Sequence, residues 1–171
     1  MARLVKPSIE YKNSFIAAIR EFRAEKSTFF AELDIAVVEE NFESYVNDLL
    51  SREKTPSKPG WVPSTTFWLI DDDIFIGYAN VRHALNENLR KFGGHIGYAI
   101  RSSQRRQGHG TEMLRMTLME SRAMGLKKVL ITCDETNSGS RKIIEANGGV
   151  LEDVIQLDFR DAPTMRWWIE L

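Results

Sequence analysis

Between Ile96 and Leu114 the chain reads Ile-Gly-Tyr-Ala-Ile-Arg-Ser-Ser-Gln-Arg-Arg-Gln-Gly-His-Gly-Thr-Glu-Met-Leu. A short apolar run meets a turn holding Gly108 and Gly110, and an amphipathic segment begins at once behind it, which predicts a strand, a tight turn and a helix. That helix, over roughly Gly110 to Met124, carries Met113, Leu114, Thr117, Leu118 and Ser121 on one face and stops at Gly125. Amides at a helix start are unpaired donors with the positive end of the helix dipole behind them, so an anion fits there if glycines let the backbone approach. Arg105 and Arg106 add charge. One helix end contributes only about 0.3 to 2 kcal/mol toward an anion, so several amides must act together.

The rest of the chain surrounds this unit with both kinds of structure. Tyr11, Phe15, Ala18, Ile19 and Phe22 recur at helical spacing, with Ser8 as a candidate cap, and Val37, Val38, Phe42, Tyr45, Val46, Leu49 and Leu50 form a second apolar face. The polar run from Ser51 to Gly60, with two prolines, reads as a loop. Thr65 to Ile70 and Ile74 to Val81, joined across three aspartates, read as a hairpin. A polar segment with Leu85, Asn86 and Leu89 leads to a third strand from His95 to Ile100, and Lys128 to Cys133 makes a fourth. Asn137 to Asn147 is helical in pattern, Gly148 and Gly149 break it, and Val150 to Phe159 with Met165 to Leu171 suggest a closing antiparallel pair. The order argues for an α/β fold, a mixed central sheet with antiparallel flanks and a parallel centre, and helices on both faces. Residues 1–171 read as a single domain without internal repeats.

Composition narrows the function classes. Lys plus Arg number 23 against 24 Asp plus Glu, for a net charge of -1, which disfavours a nucleic-acid binder. The single cysteine, Cys133, has no partner for a bridge, and no Cys-x-x-Cys pair suits zinc, so a reducing cytoplasm fits and no metal is expected. No apolar run approaches the roughly 20 residues of a membrane span, and no export signal opens the chain, so no membrane partner is expected. A homodimer is compatible with the sequence, which contains nothing that decides it.

Among phosphate-binding turns, a Walker A motif is excluded because no Gly-Lys-Ser or Gly-Lys-Thr occurs. The dinucleotide pattern Gly-x-Gly-x-x-Gly fails at its third position, where Met113 stands, and its usual place at the start of a fold is taken here by helices and a hairpin. Arg105-Arg-Gln-Gly-His-Gly110 instead resembles the Arg/Gln-x-x-Gly-x-Gly/Ala signature of the GNAT acetyltransferase superfamily. The strand before it, the strand after it, and Asn137-Ser-Gly-Ser140 leading to Glu145-Ala-Asn-Gly-Gly149 resemble that family's core over about residues 65–160. The resemblance implies an N-acetyltransferase with acetyl-CoA as donor and a small-molecule or peptide amine as acceptor. It implies that the turn from Arg105 through Arg106, Gln107, Gly108, His109 and Gly110 to Thr111 holds the pyrophosphate. Tyr98, Ala99 and Ile100 would carry the pantetheine arm, with Asn137 and Ser140 beside it. A catalytically silent acyl-CoA-sensing module is the alternative.

Amide formation needs a neutral amine, and for a lysine-like amine of pKa ~10.4 deprotonation near pH 7.4 involves about 4 kcal/mol. A general base would help, and His95 stands where the resemblance places a catalytic carboxylate. His83 and Glu87, on the loop before it that should edge the acceptor pocket, are the next candidates. The tyrosine that many relatives place seven positions after the asparagine is Ile144 here, which puts a tyrosine acid in doubt. Trp61, in the Pro-rich loop, is a candidate wall for the acceptor pocket. No metal-ligand spacing links His83, His95 and His109.

Overall fold

A computed structural model describes all residues, 1–171, as seven strands and six α-helices. In chain order these are β1 (Arg3–Val5), α1 (Lys12–Ala24), α2 (Ile35–Glu40), α3 (Phe42–Ser51), β2 (Ser64–Asp71), β3 (Ile74–Arg82), α4 (Glu87–Lys91), β4 (Ile96–Ile100), α5 (His109–Ala123), β5 (Lys128–Asp134), α6 (Ser138–Ala146), β6 (Val150–Ile155) and β7 (Thr164–Glu170). One sheet runs β1-β2-β3-β4 and the other β5-β7-β6, with every ladder antiparallel.

Alternation along β2 and β3 sorts the helices onto two faces. Trp68, Ile70 and Phe75 join Phe15, Ile19 and Phe22 of α1 and Phe42, Val46 and Leu49 of α3 in one cluster. The Phe15 ring stacks on Trp68 at 4.6 Å and meets Phe75 edge-on at 5.1 Å. Leu69, Ile76 and Ala79 face the other way, against Met113 of α5. Two polar residues on the buried face of α5 satisfy themselves: Thr117 donates to the Met113 carbonyl and Ser121 to that of Thr117.

Three expectations are corrected. The second apolar face is two helices, because Asn41 leaves helical geometry (φ -113°, ψ 40°), and its amide and side-chain Nδ2 both donate to the Val37 carbonyl, closing α2 there. The polar segment after β3 holds α4, capped by Asn86, whose Oδ1 accepts from the Leu89 amide at 2.9 Å. The parallel centre is reduced to a point of contact. β4 and β5 share one backbone bond, His95 N–H to the Leu130 carbonyl at 2.7 Å, and no ladder. The next amide, that of Leu130, donates to the His95 ring at Nδ1 (2.9 Å) instead of to a strand carbonyl. Gly94 makes this approach achievable: a Cβ there would lie 2.3 Å from the Leu130 carbonyl oxygen.

The hairpin between β2 and β3 turns through Asp72 and Asp73, both left-handed at φ 44° and 62°. Two successive positive φ values match the right-handed twist of the strands but suit glycine better than aspartate at the second position. Asp73→Gly should therefore stabilise the chain by about 0.5 to 1 kcal/mol, read as a higher urea midpoint at unchanged slope.

Candidate functional site

Where β4 leaves β5, a cavity of about 720 Å³ opens. Tyr98, Ala99 and Ile100 form one wall, and Asn137, Ser140 and Ile143 from the start of α6 form the opposite one. Arg106, Gly108, Gly110 and Thr111 close one end, and Phe22, Thr28 and Phe29 at the end of α1 and beyond close the other.

The glycine turn offers its backbone. Arg106 and Gly108 are both left-handed, at φ 63° and 84°, and the amides from Arg106 to Thr111 find no acceptor within the chain. Successive amides turned outward in this way form an anion-binding concavity ahead of a helix. Gly110 serves a second purpose. A Cβ there would meet Ile143 Cδ1 at 2.5 Å, so its absence lets α5 close on α6 beside the cavity.

The arginines divide. Arg105 lines the cavity, but its guanidinium is bound to both oxygens of Glu25 (2.7 and 2.5 Å) and to the Ile100 carbonyl (2.8 Å). Its charge is spent on tying the turn to the end of α1. Glu21 repeats the tie one turn earlier, holding Arg101 and accepting from Ser102 and Ser103, and its carboxyl is lowered below the usual range by those bonds, which outweigh its desolvation. Arg106 is exposed and in no ion pair, so it is the unpaired charge at the turn. Gln107 and His109 lie outside the cavity lining, and Gln107 donates weakly to the Ser103 carbonyl.

Across the gap, Tyr98 Oη and Ser140 Oγ are 2.8 Å apart, and burial raises the phenol well above its usual range, keeping it protonated. Asn137 caps α6 with Oδ1, which accepts from the Ser140 amide at 3.0 Å. Its side-chain NH2 has no acceptor in the chain, so capping and ligand binding are compatible in one residue. Ile144 is fully buried beneath Gly149 and contributes no acid.

The three catalytic candidates are not brought to the cavity. His95 lies at the closed end of the gap, where desolvation first and then Arg90 and Arg82 push its pKa down to about 4. The neutral ring has one acceptor nitrogen, and Leu130 occupies it. This is a structural task, different from the one its place in the sequence suggested. His83 sits on the opposite side of β3 from Tyr78 and Arg82, bonded to Thr65 Oγ1 at 2.9 Å, and Glu87 is exposed on α4. Trp61 is 58% exposed under Lys58 and stands apart from the cavity. The structure gathers no group of three His, Cys, Asp or Glu side chains suited to a metal, and no helix is long and apolar enough to cross a membrane.

The profile of the acetyltransferase (GNAT) domain matches residues 15–150, which is most of the chain. The chain belongs to the GNAT acetyltransferase family. No functionally curated protein sequence matches it. Among solved structures, Mycobacterium smegmatis RimJ in complex with CoA-disulfide is similar at 18% identity and TM-score 0.72, covering 99% of this chain and 81% of that one. The microcin C7 self-immunity acetyltransferase MccE, in complex with acetyl-CoA and AMP, is similar at 14% identity and TM-score 0.71, covering 99% and 92%. A Salmonella typhimurium acetyltransferase that modifies the N-terminal serine of ribosomal protein L7/L12 is similar at 14% and 0.68, covering 99% and 95%. These GNAT enzymes share the fold of this chain, including its antiparallel sheets and flanking helices.

His95 makes acid sensitivity a property of the fold. Its folded pKa lies below the ordinary 6.5, so between about pH 6.5 and 4 the unfolded chain binds the extra proton. Stability is therefore full above about pH 6.5 and falls as the pH drops toward 4, by up to roughly 3 kcal/mol. In His95→Phe the pH slope should flatten while stability at pH 7 drops by about 1 to 3 kcal/mol, because the buried Leu130 amide loses its acceptor. Urea titrations across that pH range would show both effects.

Proposed function

We propose that the chain transfers the acetyl group of acetyl-CoA to an amine by direct attack, with the gap between β4 and β5 as the channel for the donor. One observation carries this reading: Arg106, Gly108, Gly110 and Thr111, whose amides are unpartnered, line the same cavity as Tyr98, Asn137 and Ser140. The cavity suits the donor because its charged end meets backbone donors and a cradle without a side chain at Gly108 and Gly110, and its middle is narrow and mostly apolar, with Asn137 free to donate one amide bond. Residues 1–171 act as one catalytic domain in this reading.

In the reaction, the amine lone pair attacks the thioester carbonyl, the C–S bond breaks, and the proton lost from nitrogen balances the one gained by sulfur. Tyr98 stays protonated and shares a hydrogen bond with Ser140 Oγ; with the phenol as its donor, the serine proton is left for the departing sulfur. No carboxylate or imidazole is placed to take the proton from the amine. Glu25 lines the cavity but is held by Arg105. We therefore assign deprotonation to water, and His95, Glu87 and His83 to roles outside the chemistry.

The test is thiol release from acetyl-CoA during a screen of amines, with binding of acetyl-CoA, CoA and NAD measured separately by thermal shift. A ligand at 100 times its Kd raises stability by roughly 2.7 kcal/mol, so acetyl-CoA should shift the transition and NAD should not. Donor binding without thiol release from any amine would leave the silent sensing module as the better reading.

Two further outcomes follow from the roles assigned. Gly110→Asp should abolish acetyl-CoA binding in a chain that still unfolds cooperatively, and Asn137→Ala should weaken it by about 0.5 to 1.5 kcal/mol, the net worth of one hydrogen bond. With water as the proton acceptor, kcat/KM should keep rising with pH toward the amine's own pKa, with no plateau set by a group near 6.5. A loss of rate in His83→Gln with acetyl-CoA binding intact would restore that histidine as base.

A further inference from the structure

The donor channel leaves one face of β3 and β4 without a function. Tyr78, Asn80 and Arg82 alternate onto that face of β3, and their neighbours on β4 are Ala99 opposite Tyr78 and Gly97 opposite Asn80. Ala99 lines the donor cavity. Gly97 is the next residue of the same face, about 7 Å along the strand. A Cβ placed on Gly97 would meet nothing but the Nη1 and Nη2 atoms of Arg82, both at 3.8 Å. Beyond Ala99, which packs in the α1 cluster and lines the donor cavity, the face therefore has room over a bare glycine beside a guanidinium.

That guanidinium lacks a counter-ion. Arg82 Nη1 donates to the Gly93 and Gly94 carbonyls (2.9 and 3.1 Å), and no carboxylate lies within ion-pair distance of the side chain. Nε and Nη2 have no acceptor, yet neither is sealed from solvent. The residue is half-buried, and desolvation lowers its pKa. The nearest polar neighbours carry no negative charge: burial keeps the Tyr45 and Tyr78 phenols protonated, and Asn80 Nδ2 makes only long contacts of 3.3 and 3.4 Å, to Thr66 Oγ1 and the Thr65 carbonyl. Arg90, a second cation with no carboxylate partner, lies close enough to depress His95. A partly desolvated charge without a counter-ion is costly unless something anionic completes it.

We propose that Arg82 recognises the acceptor, which is an amine carrying a carboxylate or phosphate group. The anionic oxygens pair with Nε and Nη2, the edge of the guanidinium fork left open by the Gly93–Gly94 turn, and lie over Gly97. The amine then points back along this face toward Ala99 and the donor channel. This rests on the acetyl-transfer reading above, with Arg82 deciding which amines enter.

Matched pairs of acceptors test it with the full chain: L-amino acids against the amines left by their decarboxylation, and phosphoethanolamine against ethanolamine. Initial rates of CoA release are the first readout, and thermal stabilisation of the CoA-loaded chain by each amine is the second. The anionic member of a pair should exceed its neutral partner at least tenfold in kcat/KM, and whichever pair does so separates a carboxylate from a phosphate acceptor. Arg82→Gln should raise KM for that acceptor roughly 30-fold or more, erase the difference within the pair, and leave the acetyl-CoA Kd unchanged. Arg82→Lys should recover part of the loss. Neutral amines that match or outdo their anionic partners, by rate or by stabilisation, overturn the proposal in the unaltered chain, whatever becomes of the variants. A loss of kcat that is equal for both members in Arg82→Gln does the same, because it would make the residue only a support for the Gly93–Gly94 turn. Absence of acetyl-CoA binding overturns the donor-site reading itself, whereas intact donor binding with no anionic preference overturns this proposal alone.

Discussion

Everything at the site depends on how two strands are joined and then prevented from joining further. β4 and β5 come together at His95 and Leu130, where one backbone bond is followed by a bond from amide to imidazole. A side chain in place of a strand carbonyl ends the pairing after a single step, so the strands part and the two sheets stay distinct. The cost of a buried imidazole is carried at this point, and the gain is a slot between the two sheets. Further along, a hydrogen bond between Tyr98 and Ser140 links its walls again.

The sequence made the strand–turn–helix unit legible because its signals are local. Gly108 and Gly110 mark the turn, and the apolar spacing of Met113, Leu114 and Thr117 marks the helix. The hairpin, β5, α6 and the closing pair of strands were equally readable from period and breakers. β1 and α4 were not, since three and five residues are too short for periodicity to speak, although Asn86 before Glu87, with Arg90 and Lys91 behind, was a readable cap and charge signal. The break at Asn41 was hidden by an apolar face that continues through it.

Side-chain roles were less readable than backbone ones. The turn's amides follow from the glycines alone, but Arg105 was expected to meet phosphate and is instead engaged by Glu25, eighty residues earlier in the chain. His95 looked chemical because of its place in the strand, and only the partner across the gap reveals its packing task. Arg82 drew no attention as one basic residue among 23 Lys and Arg. Its meaning lies in the missing carboxylate, which is a property of the fold rather than of any short stretch of sequence.

A turn that offers main-chain amides, as proposed for Arg106 to Thr111, has a consequence for how such a chain can diverge. An amide is the same in every residue but proline, so the side chains at 107, 109 and 111 are free to drift while a grip on an anion persists. Backbone geometry restricts residues 106 and 108, which are left-handed, and the closeness of Ile143 restricts Gly110. Chains that agree at 14 to 18% of positions can then keep one architecture end to end.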